Sequence, residues 1–278
     1  MVPQTVYTLL CHRDINMALV TLPRLLRFLS SDQKLIIFDD GSLTDDDTDI
    51  LKALSVNIII ITRVDREDFV NSALTNYPIC RQYREKSPFG FKLIDIPLHA
   101  QKFNARFTYS DSDIIYIKNC EDYFKQDRNV FLKDFTTAFS LKLKKILFKY
   151  HWSIPTNFNA GYFSYDSSRF DLDFVEHYLS LPDVYDYLWL TEQTCWALLF
   201  GRSGPSYCTN EDQFICREGY NDLKSENLAI HLIVNLKNKY VEWAVDNNDI
   251  SLPPTFNLSK KVTPLYILTR KLSHMIKY

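Results

Sequence analysis

The chain has 278 residues, enough for one large domain or two small ones with a sizeable core. Its 46% hydrophobic and 24% charged residues are typical of a soluble globular protein, and the net charge of −2 gives no argument for binding to nucleic acid. The six cysteines are scattered without a CxxC pair, which argues against a zinc site or a secreted disulfide framework. With no signal peptide and no apolar run of membrane-spanning length, we expect a cytoplasmic protein, at most peripheral to a membrane.

The first 62 residues predict an alternating β-α-β-α-β order. Apolar runs at 5–10, 34–38 and 56–62 indicate buried strands, and Asp14 and Asp45 stand where the two intervening helices begin. This alternation predicts an α/β fold with a mainly parallel sheet flanked by helices. Ligands of such sheets bind beyond the carboxyl ends of the strands, where Cys11 and Asp39 fall.

The next part predicts helices over 67–86, interrupted near Pro78, and over 91–101, followed by strands over 114–117 and 134–141. Residues 118–149 are markedly basic, which indicates either a solvated face or a contact with an anionic acceptor or a membrane surface. A strand is expected around 157–165 and an apolar helix over 190–200. We expect one domain over 1–245 and a C-terminal extension over 246–278.

Two carboxylates, Asp111 and Asp113, stand one residue apart directly before the buried strand that starts at Ile114. Burying such a pair is costly unless a positive charge compensates it, and a divalent cation is the usual partner. Mg²⁺ and Mn²⁺ prefer oxygen ligands and also bind phosphate oxygens. The alternative interpretation of Asp111-Ser112-Asp113 is a polar turn before a strand.

The order of several motifs resembles that of GT-A glycosyltransferases. Phe38-Asp39-Asp40-Gly41-Ser42 follows the second strand, Asp111-Ser112-Asp113 precedes a buried strand, and Phe158-Asn159-Ala160-Gly161 comes later. With Glu192-Gln193 and His231, the pattern is most similar to the retaining family that includes glycogenin and the bacterial lipopolysaccharide galactosyltransferases. In that family a glycine stands where this chain has Val234.

The resemblance implies an enzyme that moves a hexose from a nucleotide-sugar, most often a UDP-sugar, to a glycan, glycolipid or glycoprotein acceptor. It implies a bound Mn²⁺ or Mg²⁺ with the ligands Asp111, Asp113 and His231. The nucleotide-binding residues that it implies are Leu9, Leu10, Cys11, His12, Asp39, Asp40, Lys92, Asp111, Ser112 and Lys237.

Asn159, Ala160 and Gly161 would contact the donor sugar, the small residues leaving room for it. Glu192 and Gln193 would lie beneath the anomeric carbon, where Glu192 is a general base if the enzyme inverts and a stabilising carboxylate if it retains. Without the resemblance, Glu192 could be a carboxylate favoured by a helix dipole, and His231 a core histidine.

Two rival functions follow from the same residues. A sugar-nucleotide pyrophosphorylase would need a glycine-rich phosphate loop after the first strand, and Leu9 to Arg13 contains no glycine. The other rival is a catalytically inactive protein with this fold that binds a carbohydrate or a nucleotide. The presence of both carboxylates, the histidine and Lys237 argues against it.

Overall fold

The computed structural model describes residues 5–103, 105–184, 188–215, 226–232 and 254–264, and a mixed eight-stranded sheet forms the centre of this part of the chain. The strands are β1 (Thr5–Leu10), β2 (Leu35–Asp39), β3 (Ile58–Ile61), β4 (Arg106–Ser110), β5 (Ile114–Tyr116), β6 (Val130–Lys133), β7 (Ile154–Pro155), β8 (Phe158–Asp166), β9 (Tyr207–Thr209), β10 (Phe214–Ile215), β11 (Ala229–His231), β12 (Phe256–Leu258) and β13 (Lys261–Val262). The helices are α1 (Ile15–Leu26), α2 (Asp45–Leu54), α3 (Arg63–Ala73), α4 (Pro78–Lys86), α5 (Ile96–Lys102), α6 (Leu172–Leu179) and α7 (Leu188–Arg202).

The large sheet has the order β12-β9-β6-β8-β4-β1-β2-β3. Strands β4, β1, β2 and β3 are parallel neighbours, and β6 and β9 are also parallel. Strand β8 runs antiparallel to both β4 and β6, and β12 runs antiparallel to β9. The predicted fold class, a mainly parallel sheet flanked by helices, is therefore confirmed.

Two apolar cores cover the two faces of this sheet because side chains alternate along each strand. In β1, Tyr7 lies in one core and Val6 and Leu10 lie in the other. The larger core contains Trp196 of α7, and the smaller one contains Ala18 and neighbouring residues of α1.

A small second sheet has the order β10-β11-β5, and its strand β5 begins directly after the acidic motif. Strand β5 follows Asp113, and its antiparallel partner β11 pairs His231 with Ile114. Strand β12, from the predicted C-terminal extension, forms the edge of the large sheet. Residues 265–278, the end of the predicted C-terminal extension, lie outside the described residues.

The helix start signals read from the sequence match the structure at α2, where the Thr44 side chain accepts a hydrogen bond from the Asp47 backbone in a capping box. The predicted strand over 134–141 is wrong. Strand β6 occupies Val130–Lys133, and the Asp134 carboxylate then accepts a hydrogen bond from the Thr136 backbone N–H at 3.1 Å. This local turn ends the strand at the point where its continuation was expected.

No helix in the described ranges is both long and apolar enough to span a membrane.

Candidate active site

The sheet order places the candidate site at a reversal of the chain. Strands β1, β2 and β3 are added in one direction, and the chain then returns to place β4 on the other side of β1. Residues that follow β1 and β4 therefore flank a crevice at the carboxyl edge, where α/β sheets bind ligands. Cys11 follows β1 and Asp111 follows β4.

Backbone hydrogen bonds hold the acidic motif between β4 and β5 in place. The Asp111 backbone N–H donates to the Gly161 carbonyl at 2.7 Å, and the Asp113 carbonyl accepts from Leu232 at 3.0 Å. The carbonyl of Ser112 accepts from the Thr21 hydroxyl at 2.6 Å. With the main chain fixed, the carboxylates of Asp111 and Asp113 remain partly exposed, at 26% and 18%.

His231, far away in the sequence, lies against this motif because β11 pairs with β5. Its Nε2 is 3.2 Å from Asp113 Oδ1 and 3.6 Å from Asp111 Oδ2, and one ligand atom from each of the three residues lies within 4.8 Å of the others. Ligands bound about 2.1 Å from a divalent ion at right angles are about 3 Å apart. Both the donor types and their spacing thus fit a divalent metal, as the sequence predicted for Asp111, Asp113 and His231.

Gly161 provides the space for the imidazole. A Cβ atom at residue 161 would lie 2.4 Å from Cε1 and 2.7 Å from Nδ1 of His231. Gly161 is thus required for the close approach of strand β8 to His231. The space that Gly161 was expected to leave for the donor sugar is therefore occupied by the imidazole of His231.

Lys92 brings a buried positive charge to the carboxylates. It lies in a π-helical turn, Phe91–Asp95, that leads into α5, and its Nζ is 3.2 Å from Asp111 Oδ1 and 3.6 Å from Glu192 Oε1. The ring of Tyr109 lies 4.5 Å below Nζ, and the Tyr109 hydroxyl donates to Asp111 Oδ1 at 2.6 Å. Burial acts to lower the pKa of Lys92, but Asp111 and Glu192 outweigh it, and the pKa is raised. Lys92 is therefore a fixed cation.

A network of buried charges holds this π-helical turn. Asp95 accepts hydrogen bonds from Arg66 Nε and Arg84 Nε, each at 2.7 Å, and all three side chains are at most 3% exposed. Arg66 also donates to the backbone carbonyl of Asp39 at 2.7 Å. The network thereby joins the turn after β2 to the turn that carries Lys92. The sequence gives no signal for it.

Glu192 and Gln193 lie in the first half of α7, under the floor of the site. Glu192 is 3% exposed, and its burial raises its pKa to about 8 although Lys92 acts to lower it. Gln193 donates to the Ala138 carbonyl at 2.8 Å and accepts from the Ala160 backbone N–H at 3.4 Å. Gln193 thereby orders the two segments that border the site.

Asp134 is a site residue that the sequence reasoning missed. Asn159 donates to Asp134 Oδ2 at 2.8 Å, and Asn159 Oδ1 accepts from the Gly161 backbone N–H at 2.8 Å. The short turn after β6 directs this carboxylate to the site. An aspartate at the end of an apolar run was the available signal, but it was assigned to a strand.

These residues surround one cavity of about 430 Å³. Its lining brings together nine residues predicted from the sequence, namely Lys92, Asp111, Asp113, Asn159, Ala160, Gly161, Glu192, Gln193 and His231. Aromatic side chains also line it: Phe89, Phe135, of which 49% is exposed, and Trp189, of which 50% is exposed. A cavity that combines convergent charged groups with an aromatic lining is suited to a small polar organic ligand.

The residues predicted for the nucleoside lie outside the lining of this cavity. The Asp39 carboxylate accepts from the backbone N–H groups of Gly41 and Leu43, and Asp40 accepts from Ser42. These bonds stabilise a turn after β2, close to the end of β1.

At the end of β1, residues 9–10 lie in the strand itself. The Cys11 thiol donates to Asp14, and His12 Nδ1 lies 2.6 Å from Asp47 Oδ2. Lys237 and Val234 are outside the described residues.

No protein-family model and no curated protein sequence matches the chain. Solved structures do match it. A structure of the galactosyltransferase LgtC in complex with donor and acceptor sugar analogues superposes with a TM-score of 0.59 at 12% identity, covering 89% of this chain and 97% of that one. Mouse xyloside xylosyltransferase 1 superposes with a TM-score of 0.57 at 12% identity, covering 84% of this chain and 99% of that one.

A third similar structure is the glycosyltransferase GlyE of Streptococcus pneumoniae, with a TM-score of 0.53 at 13% identity over 88% of this chain and 61% of that one. At these identities the likeness concerns the fold. The chain therefore has the GT-A fold of these glycosyltransferases.

Proposed function

We propose that this protein is a metal-dependent glycosyltransferase that moves a hexose from a nucleotide-sugar to a hydroxyl acceptor. One observation carries the proposal: Asp111, Asp113 and His231 come within 4.8 Å of one another in the same cavity as Lys92 and Glu192. A structural protein with this fold would have no need to hold two carboxylates, a histidine and a buried cation around one cavity.

Asp111, Asp113 and His231 would hold Mn²⁺ or Mg²⁺, the ions that suit two carboxylates and an imidazole. When bound, such an ion neutralises the diphosphate of the leaving nucleotide as a Lewis acid. Lys92 places a second positive charge beside Asp111, and Lys237 adds a third in this proposal. Fixed cations favour the transition state because charge builds up on the leaving diphosphate.

The nucleoside would lie along the carboxyl ends of β1 and β2. There Leu9 to His12 offer backbone groups, and Asp39 and Asp40 offer carboxylate oxygens. We infer a UDP-sugar donor from the resemblance to enzymes of this fold.

The sugar would lie over Asn159 and Ala160, with Glu192 and Gln193 beneath it. We favour retention, because Glu192 faces Lys92 at 3.6 Å in an almost fully buried position, which suits a charge-stabilising role. Inversion, with Glu192 as the general base, remains the alternative, and the anomeric configuration of the product decides between them. LgtC also has a glutamine in its active site.

The acceptor would enter over the aromatic side chains that line the cavity, Phe89, Phe135 and Trp189. Flat, exposed rings offer a stacking surface to the apolar face of a sugar. We therefore propose a glycan acceptor, free or as part of a glycolipid or glycoprotein.

Thermal unfolding with a panel of nucleoside diphosphates and nucleotide-sugars, with and without Mn²⁺, tests the proposal. A ligand that binds only the native state raises the midpoint with its occupancy. We expect a metal-dependent shift with uridine nucleotides and slow hydrolysis of one UDP-sugar. Nucleotide binding without any hydrolysis or transfer would favour the inactive binding protein, and no shift with any nucleotide would contradict the proposal.

A further inference from the structure

A basic surface lies on the segment that leads away from the cavity. Between Asp134 and Asp166 the chain has no acidic residue, and it carries four lysines, Lys142, Lys144, Lys145 and Lys149. The lysines in the earlier part of the basic stretch 118–149 are instead buried or paired with a carboxylate. Lys118 is buried, Lys125 pairs with Glu121 at 2.7 Å, and Lys133 pairs with Glu211 at 2.8 Å. The structure thus concentrates the uncompensated charge in residues 142–149.

The local fold exposes these lysines together with an aromatic ring. Lys145–Lys149 form a π-helical turn in which Ile146 and Leu147 are buried in the larger core. Phe148, 41% exposed, points to the outside along with Lys142, Lys144 and Lys149. Among the described residues, these three lysines form no ion pair, whereas Lys145 pairs with Asp183 at 2.7 Å. We call Lys142, Lys144, Phe148 and Lys149 the basic surface.

The basic surface lies close in sequence to residues that line the cavity. Ala138, which lines the cavity, is only four positions before Lys142. Ser140, between them, is fixed to α7 by a 2.8 Å hydrogen bond from its backbone N–H to Thr194 Oγ1. The Lys145–Asp183 pair joins the turn to a residue that is six positions before Trp189 in the sequence. Trp189 and Phe135 are half-exposed at the cavity, so exposed aromatic rings border it.

We propose that the basic surface binds an anionic lipid surface and so holds the cavity mouth toward an acceptor attached to that membrane. Lysines near an anionic leaflet each strengthen binding about fivefold, and aromatic rings favour the boundary between headgroups and water. A soluble polyanion would gain from the lysines but not from Phe148, Phe135 and Trp189, which is why we favour a lipid surface. Binding to the lipid surface does not depend on the proposed function; the statement that an acceptor is attached to that membrane does.

Co-sedimentation of the full chain with lipid vesicles tests this inference. We expect binding to vesicles of phosphatidylcholine with phosphatidylglycerol, weakening as salt is added, and no binding to phosphatidylcholine alone. The variant Lys142→Glu/Lys144→Glu/Lys149→Glu should lower the partition coefficient on the order of 100-fold. Phe148→Ser, which keeps every charge, should also lower it, by about tenfold.

A matched control reverses three exposed basic residues at the opposite, amino edge of the sheet, as Arg27→Glu/Lys34→Glu/Lys52→Glu. It changes the net charge by the same amount and should bind vesicles within about threefold of the wild type. Equal loss in both triple variants, no binding to anionic vesicles, or binding of a soluble polyanion such as heparin without vesicle binding would overturn the inference. Vesicle binding requires no turnover. Retained metal-dependent nucleotide binding in the lysine variant shows that the site is intact, so this inference and the proposed function fail separately.

Discussion

The Nζ of Lys92 lies 3.6 Å from Oε1 of Glu192, and both side chains are almost fully buried. The same ammonium contacts Asp111 at 3.2 Å, so one lysine faces two carboxylates. A single positive charge does not keep both carboxylates ionised at low cost, and it is the more deeply buried one, Glu192, whose pKa is raised to about 8. The lysine thus connects the predicted metal ligands to the predicted catalytic residue.

Glu192→Gln tests this charge arrangement through the pH dependence of stability. The folded-state pKa of Glu192, about 8, is above the ordinary value of 4.5, so the native state binds more protons than the unfolded chain between these values. This contribution is fully present below pH 4.5 and is lost as pH rises toward 8. In chelator, we expect the wild type to lose up to roughly 5 kcal/mol over this range from this group and the variant to show a flatter profile. Denaturant unfolding at several pH values measures the free energy of unfolding of both proteins. Parallel pH profiles for the wild type and the variant would contradict the raised pKa of Glu192.

The same variant should lower the rate of transfer at least ~100-fold above pH 8, where Glu192 is ionised, because glutamine keeps the shape but carries no charge beneath the sugar. Its metal-dependent nucleotide affinity should stay within about threefold, since Glu192 is not placed on the nucleotide. A matched control is Glu121→Gln, which removes an exposed carboxylate that pairs with Lys125. Equal transfer rates in the Glu192 variant and the wild type would remove Glu192 from the chemistry.

Asp113→Asn should abolish the metal dependence of nucleotide binding. The amide keeps the size of the side chain but takes away the charge that faces His231 at 3.2 Å. Titration calorimetry with a uridine nucleotide in Mn²⁺ should show a loss of at least tenfold in affinity, while binding in chelator stays equal to that of the wild type. Asp122→Asn, at an exposed carboxylate, is the control. Unchanged affinity in Mn²⁺ would show that Asp113 holds no metal.

Local patterns could predict the acidic motif, because Asp111 and Asp113 directly precede a buried strand that is visible in the sequence. His231 was found only through the order of motifs, since its partner strand β5 is more than 100 residues away. The π-helical turn at Lys92 and the buried ion pairs of Asp95 could not be predicted from the sequence. The one extra residue of a π-helical turn hardly disturbs the helical periodicity of apolar residues. Asp134 was missed because the sequence was assigned to a strand where a local turn begins, and because its contact with Asn159, far away in the sequence, leaves no local pattern.

Gly161→Ala should damage the metal site without touching a charge. The new methyl group would lie 2.4 Å from Cε1 of His231, so the imidazole must move. We expect a loss of stability of about 1–3 kcal/mol and a weakening of metal-dependent nucleotide binding of at least tenfold. Adding His231→Ala should restore much of the stability but not the metal binding, because most of the clash is then gone. Wild-type metal binding in Gly161→Ala would show that His231 is not held as the structure describes.

Asp95→Asn should show that the buried arginine pair sets the position of Lys92. The Asp95 carboxylate accepts from Arg66 and Arg84, each at 2.7 Å, and its neutralisation removes the charge that both buried guanidinium groups share and leaves Arg84 with Glu67 alone. Such a loss costs about 3–5 kcal/mol. Because Lys92 is in the same π-helical turn, we also expect kcat to fall more than tenfold at temperatures where the variant is fully folded, with a smaller change in KM. Glu67→Gln is the matched control, since Glu67 bonds the outer side of Arg84 and is 37% exposed, and it should cost less than about 1 kcal/mol. A folded Asp95→Asn protein with wild-type kcat would mean that the network stabilises the fold alone and leaves the position of Lys92 to its contacts with Asp111 and Glu192.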